Sequence, residues 1–167
     1  MSNPTLTGDP KSHSPTSFAS GITGTCLCGA ITVHIINDNL FTPGSRRGHL
    51  CHCSSCRKTS GSFAATNLLI ETEKVEILDP EGVMKTYEDT GTLSGKPLKR
   101  SFCGRDGCPI KAESENFTGK TILKMGLFPR IPEPEMESFA SHAHPWVSEL
   151  EGTIKYKLAR GGPVMGE

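Results

Sequence analysis

The chain has 167 residues, 35% of them hydrophobic and 22% charged, which suits one globular domain with a core of its own. Lysine plus arginine equals aspartate plus glutamate at 18 each, so no overall basic charge attracts nucleic acid. No apolar run approaches the roughly 18 residues that span a membrane, and the first residues lack the order of a secretory signal. We therefore expect a cytoplasmic protein with neither a nucleic-acid nor a membrane partner.

The two ends of the chain differ from its middle in composition. Residues 1–20 are rich in proline, serine and threonine, and residues 161–167 read GGPVMGE. Neither stretch has apolar periodicity, so neither buries enough surface to offset the cost of ordering it. We predict a disordered N-terminal tail, a single domain over 21–160 and a flexible C-terminal tail.

The middle of the chain favours strands. Runs rich in β-branched residues, separated by glycine, proline, asparagine and aspartate, occur at 30–36, 63–70, 74–78, 120–128 and 152–159. A short helix is expected only after the cysteines of CSSCRKTSG, at 53–61. The predicted fold class is therefore mainly β, built of small antiparallel sheets.

Seven cysteines fall into three groups along these strands. Their spacing is C-x-C, then C-x-C-x-x-C, then C-x4-C, and the residues are Cys26 and Cys28, then Cys51, Cys53 and Cys56, then Cys103 and Cys108. Both side chains of an extended C-x-C pair point to the same side, and C-x-x-C is the usual zinc-knuckle spacing. Thiolates select zinc or iron–sulfur clusters, and the ferredoxin spacing is absent from the sequence. Buried apolar cysteines are the alternative interpretation.

Seven thiols divide naturally into a set of four and a set of three. A zinc ion held by four thiolates is closed and structural, whereas one held by three keeps an open position for water or substrate. The pattern therefore predicts up to two zinc ions per chain.

The segments GTCLCGAITV, CHCSSCRKTSGSF, RSFCGRDGCPI and HPWV, over about residues 22–158, resemble the glutathione-dependent formaldehyde-activating enzyme family, whose wider group includes centromere protein V. The resemblance implies a β-tent fold, small antiparallel sheets pinned by a structural zinc. It also implies that Cys26, Cys28 and Cys103 are structural ligands and that Cys51, Cys53 and Cys56 hold a catalytic zinc.

The third motif departs from the family pattern, Phe-Cys-x-x-Cys-Gly. Asp106 stands where the second cysteine is expected, and Cys108 follows two places later. Three outcomes are open: Cys108 completes the structural site, Asp106 does so, or the site is weakened or empty. Thiolate is the better zinc ligand, which favours Cys108.

The resemblance implies a carbon–sulfur lyase that reversibly adds the glutathione thiol to formaldehyde. Around the predicted catalytic zinc, Arg57 is a candidate for binding a substrate carboxylate, Ser60 and Gly61 for supplying backbone amides, and Trp146 for lining the cleft. A solvated surface, an ordinary loop and a core position, respectively, are the other interpretations of these residues.

Two other functions compete with this one. The first is a related zinc enzyme that acts on another small molecule in specialised metabolism, and the second is a non-enzymatic zinc module that binds a partner. The sequence does not determine the oligomeric state.

Overall fold

The computed structural model describes residue 10, residues 14–36 and residues 39–166. The rest of the predicted N-terminal tail, residues 1–9 and 11–13, lies outside the described residues. The fold forms two compact units, the first within residues 1–45 and 68–131 and the second within 46–67 and 132–167. Each unit combines stretches that are distant in sequence. The predicted domain boundaries, at 20/21 and 160/161, stay a prediction.

The described chain is mainly β, as predicted. Its one α-helix, α1, is Ser54–Ser60. Its strands are β1 Ile22–Thr25, β2 Thr32–Ile35, β3 His49–Cys51, β4 Ala65–Glu71, β5 Val75–Leu78, β6 Met84–Asp89, β7 Leu98–Cys103, β8 Pro109–Ser114, β9 Lys120–Lys124, β10 Met136–Ser138 and β11 Ile154–Lys155. Short 3-10 helices are Pro15–Phe18, Thr72–Lys74, Glu115–Phe117, Met125–Leu127 and Ala140–His142.

In the first unit, β1, β2 and β5 form a three-stranded antiparallel sheet with β2 in the centre. β2 buries Val33 and Ile35 and leaves Thr32 and His34 half-buried, because successive side chains of a strand face opposite sides. The predicted strands at 30–36 and 74–78 are confirmed as β2 and β5.

A second group of antiparallel strands in the first unit runs in the order β6, β7, β8, β9. The hairpin between β7 and β8 is closed by two hydrogen bonds, from Cys103 N to Cys108 O and from Gly107 N to Cys103 O, each 2.9 Å long. Gly107 has φ +76°, a left-handed conformation that glycine adopts without strain. This hairpin therefore presents residues 104–108 as a tight loop.

The hydrophobic core of the first unit is large. Its buried side chains come from β1, β2, β4, β7, β8 and β9 and from residues outside the strands, and they include Ile22, Ile31, Leu68, Ile110 and Leu123, each 1% exposed or less. Cys26 and Cys103 belong to the same core and are fully buried. The loop residues next to these two cysteines are thus anchored on a rigid base.

The second unit is built around β3. This strand pairs antiparallel with β4, and β10 pairs in parallel with both β3 and β11. The two parallel pairings were not predicted from the sequence. The hydrophobic cluster of this unit is small: it contains buried Cys51, Cys56 and Ala65, with Cys53 and Phe139 packed against them. Thiols therefore occupy the place that aliphatic side chains take in the first unit.

Helix α1 lies where the sequence predicted it. Its N-cap is Cys53, whose Sγ accepts a hydrogen bond from Cys56 N at 3.4 Å. Its C-cap is Gly61, in the left-handed conformation, with φ 62°. No described helix is long and apolar enough to cross a membrane.

Candidate metal centres

The three-cysteine cluster, Cys51, Cys53 and Cys56, lies where β3 ends and α1 begins. Cys51 is the last residue of β3, Cys53 is the N-cap of α1 and Cys56 lies in its first turn. Their sulfur atoms all lie within 4.8 Å of one another. Among the residues that the structure describes, this cluster contains no fourth protein ligand. The strand-to-helix turn thus brings together three donors that can hold one metal ion.

The three thiols hold their protons strongly when no cation is bound. Hydrogen bonds to Cys53 and Cys56, together with burial and the charge of these neighbours, raise the pKa of Cys51 far above the usual thiol range. A hydrogen bond with Cys51 lowers the pKa of Cys53, but the side-chain hydrogen bond with Cys56, burial and the charge of Cys56 together raise it by more. A bound cation favours the deprotonated ligands, so metal binding releases these protons.

His52, between two of these cysteines, faces away from them into a buried hydrogen-bond network. Its side chain is fully buried, and its Nε2 donates to Glu137 Oε2 at 2.9 Å. Glu137 also accepts a hydrogen bond from Thr153 Oγ1 at 2.8 Å, and the His52 backbone N–H donates to Ser138 O at 3.0 Å. The side chain and the backbone of His52 together hold the segment from Cys51 to Cys53 against β10.

Phe139 packs against the three-cysteine cluster from a strained backbone position. Its φ of 56° makes it the one non-glycine residue with positive φ in the described chain. A hydrogen bond from Phe139 N to Leu158 O, 2.7 Å long, holds this conformation. Strain of this kind persists where the surroundings over-determine the backbone, and it is common at functional sites.

Arg57, the residue after the last cysteine, contacts His144. Its guanidinium Nη1 lies 2.7 Å from His144 Nε2. Arginine can only donate, so His144 Nε2 accepts and the imidazole carries its proton on Nδ1. The Nε of Arg57 is buried and has no hydrogen-bond partner among the described residues. The guanidinium of Arg57 thus keeps one donor that no described group satisfies.

Two aromatic side chains adjoin this pair. The His144 ring stacks on Trp146 at 11° with centroids 5.6 Å apart, and Phe63 meets Trp146 edge-on at 5.5 Å. Trp146 is 69% exposed and Phe63 is 43% exposed. We call Phe63, His144 and Trp146 the aromatic patch. The prediction that Trp146 lines a cleft stays open, but Trp146 is a surface residue and not a core one.

The structure uses Ser60 and Gly61 to end α1. Ser60 Oγ donates to Arg57 O at 3.3 Å, and the Gly61 backbone N–H also donates to Arg57 O. These groups therefore have partners within the helix terminus, and their predicted role in substrate binding stays untested.

A second group of candidate ligands lies in the first unit. It consists of Cys26, Cys28, Cys103 and Asp106, whose ligand atoms all lie within 4.8 Å of one another. We call it the mixed cluster. Cys108 is not a member of this group, and its Sγ accepts a hydrogen bond from the Leu27 backbone N–H at 3.3 Å.

The spacing of the sulfurs in the mixed cluster fits a tetrahedral zinc site. Cys28 Sγ lies 3.5 Å from Cys26 Sγ and 3.7 Å from Cys103 Sγ. Two thiolates on one tetrahedral zinc, each with a bond of about 2.3 Å, lie about 3.8 Å apart. A disulfide requires about 2.05 Å. The separations therefore match a shared metal ion.

No pattern in the sequence pointed to Glu137, Phe139 or Thr153. They follow no recognised motif, and each contributes through a contact with a distant segment, such as the 85 positions between His52 and Glu137. Only the fold brings them to the three-cysteine cluster.

Comparisons with known proteins identify one matching family. The model of the family described as glutathione-dependent formaldehyde-activating enzyme matches residues 21–149. No curated protein matches the chain. Among solved structures, the crystal structure of a Rhodobacter sphaeroides protein is similar, with a TM-score of 0.48 and 19% identity, covering 64% of this chain and 86% of that one.

Proposed function

Because the chain belongs to the glutathione-dependent formaldehyde-activating enzyme family, we propose that it is a zinc-dependent carbon–sulfur lyase that reversibly adds a thiol, such as glutathione, to formaldehyde or another small carbonyl compound. The observation that carries this proposal is the three-cysteine cluster, with three donors and no fourth one among the described residues. A cytoplasmic location, where thiols stay reduced, is part of the proposal.

The reaction joins the sulfur of the thiol to the carbonyl carbon. The thiol loses its proton, the new C–S bond forms, and the carbonyl oxygen gains a proton, so RSH and CH₂O give RSCH₂OH. A thiolate attacks more readily than a thiol. When bound, zinc supplies the positive charge that favours the thiolate form of the substrate. In this proposal Cys51, Cys53 and Cys56 are ligands and not covalent nucleophiles.

Arg57 and the aromatic patch are the proposed substrate contacts. Arg57 follows the ligand Cys56 directly, and its buried Nε lacks a partner among the described residues. A guanidinium is well suited to a carboxylate, of which glutathione has two. The exposed ring of Trp146 offers an apolar surface for the rest of a peptide thiol. Holding thiol and aldehyde side by side lowers the entropic part of the barrier.

NMR exchange between formaldehyde and S-hydroxymethylglutathione tests the function. The zinc-loaded protein is expected to accelerate this exchange and Cys53→Ser to abolish the acceleration. Glu149→Gln, which changes an exposed residue paired with Lys155, is the control and should exchange at the wild-type rate.

Metal analysis of the same samples separates the possible failures. If the wild-type protein holds zinc and leaves the exchange rate unchanged, the proposed reaction is wrong, and another small-molecule substrate becomes the leading candidate. If Cys53→Ser retains both the metal and the acceleration, the assignment of the three-cysteine cluster is wrong.

A further inference from the structure

Asp106 lies at the tip of the β7–β8 hairpin with both carboxylate oxygens in fixed positions. Oδ2 accepts a hydrogen bond from the Cys28 backbone N–H at 2.7 Å, and Oδ1 accepts one from Cys108 N at 2.8 Å. Each carboxylate oxygen has a second lone pair, which these hydrogen bonds leave available. The carboxylate is therefore held next to Cys28, a candidate ligand, and it can still coordinate a metal ion.

The spacing of the loop agrees with a direct exchange of cysteine for aspartate. Asp106 is three residues after Cys103, as the second cysteine is in Phe-Cys-x-x-Cys-Gly, and Gly107 still follows it. Gly107 keeps its left-handed conformation, and its N–H bonds to Cys103 O. The turn is thus closed around Asp106 without remodelling that would move Cys108 inward.

Cys108 has a different set of contacts. Its Sγ accepts from Leu27 N at 3.3 Å, its backbone N–H donates to Asp106, and its backbone oxygen accepts from Cys103 N at 2.9 Å. Its half-buried side chain packs against the core of the first unit. Moving this thiol to the metal would leave the Leu27 amide without that acceptor. The Cys108 thiol thus stabilises the segment between Cys26 and Cys28, two of the candidate ligands.

We propose that Asp106 is the fourth ligand of the mixed cluster, which makes it a site of three thiolates and one carboxylate, and that Cys108 stays outside the coordination shell. The total ligand charge equals that of four thiolates, so the site with a divalent ion bound has the same net charge as a site of four cysteines. A carboxylate is a harder and poorer donor for zinc than a thiolate. The metal of this site should therefore exchange faster than in a site of four cysteines.

Four variants test the assignment through metal content and Co²⁺ spectra rather than activity. Asp106→Asn removes the anionic oxygen but keeps the shape and one acceptor. Cys108→Ser removes the competing thiol, and Asp106→Cys restores the family ligand. Asp79→Asn is the matched control, because Asp79 also accepts two backbone N–H groups, from Val83 and Met84, but lies outside the cluster.

We expect the wild-type protein, Cys108→Ser and Asp79→Asn to bind two equivalents of zinc, and Asp106→Asn to lose one of them or to release it at least tenfold faster to a chelator. Asp106→Cys should release zinc more slowly than wild type, and its Co²⁺ form should gain sulfur-to-cobalt charge-transfer absorption. Cys108→Ser should leave that absorption unchanged.

The opposite pattern overturns the proposal. In that pattern Cys108→Ser loses one equivalent of zinc, and its Co²⁺ form loses sulfur-to-cobalt absorption, while Asp106→Asn still binds two equivalents of zinc. If Asp106→Asn does not fold, Asp106→Cys and Cys108→Ser still decide, because Asp106→Cys adds a thiolate to the metal only if position 106 faces it. A fifth variant, Cys51→Ser, removes a ligand of the three-cysteine cluster and so shows which of the two zinc equivalents belongs to that cluster.

Discussion

His52 Nε2 lies 2.9 Å from Glu137 Oε2, and both side chains are at least nine-tenths buried. His52 follows Cys51 and precedes Cys53, so the pair fixes two candidate ligands to β10. Replacing Glu137 by alanine leaves a buried imidazole without its partner, which costs about 1–3 kcal/mol. We expect Glu137→Ala to lower the free energy of unfolding of the zinc-loaded protein by that amount in urea titrations.

The control for this change is Glu149→Ala. Glu149 pairs with Lys155 at 2.7 Å, but its side chain is 86% exposed, and such surface pairs contribute less than about 1 kcal/mol. Equal shifts of the urea midpoint in the two variants would mean that the buried pair stabilises the protein no more than the surface pair does.

The strained backbone at Phe139 should reverse the usual order of stability between its glycine and alanine variants. Both Phe139→Ala and Phe139→Gly lose the contact with the three-cysteine cluster. Only glycine adopts φ 56° without penalty, whereas alanine pays about 1 kcal/mol in the left-handed region. Phe139→Gly should therefore unfold at higher urea concentration than Phe139→Ala. The usual order, with alanine the more stable, would contradict the strain argument.

The aromatic patch carries the chain's single tryptophan, so intrinsic fluorescence reports on it directly. Glutathione added to the zinc-loaded protein should change the emission of Trp146, and the titration should give its dissociation constant. Arg57→Ala should weaken this binding about tenfold, because it removes a charge-assisted hydrogen bond of roughly 1.5–3 kcal/mol. An unchanged constant in Arg57→Ala would exclude Arg57 from the substrate site. Lys58→Ala, a change at the next residue of α1, is the control.

Zinc binding to the three-cysteine cluster should strengthen as pH rises. The pKa values of Cys51 and Cys53 are both raised, so both thiols are protonated in the metal-free protein at neutral pH and must lose their protons on binding. The logarithm of the zinc association constant should rise by about two or more per pH unit between pH 6 and 8. Competition with a chromophoric chelator measures this slope. A slope near zero would mean that the thiols are already ionised.

Sequence patterns identified the elements with strong local signals. The β-branched run around Val33 predicted β2, and the segment CSSCRKTSG predicted α1. The cysteine spacing predicted a set of three thiols and a set of four. Cys51, Cys53 and Cys56 do lie together, whereas the other cluster holds Asp106 and not the favoured Cys108. The expectation of a mainly β chain of small sheets is confirmed.

Strands whose existence depends on their neighbours were missed. The strand β7 carries Lys99 and Arg100, and the buried Arg100 pairs with Asp89 of β6 at 2.8 Å. The strands β3 and β10 have three residues each, too few for alternation to be visible. Their pairing, and with it the contact of His52 with Glu137, is a property of the folded chain and not of any local pattern.

The division of the second unit between two distant stretches has a consequence for its synthesis. His52 and Glu137 are 85 positions apart, and a ribosome that adds about 5–20 residues per second needs roughly 4–17 s to cover that distance. During this interval Cys51, Cys53 and Cys56 have been synthesised while β10, the strand that braces them, has not. The nascent chain thus carries three reactive thiols without their final support, and early capture of a metal ion would protect them from oxidation until translation reaches the partner strand.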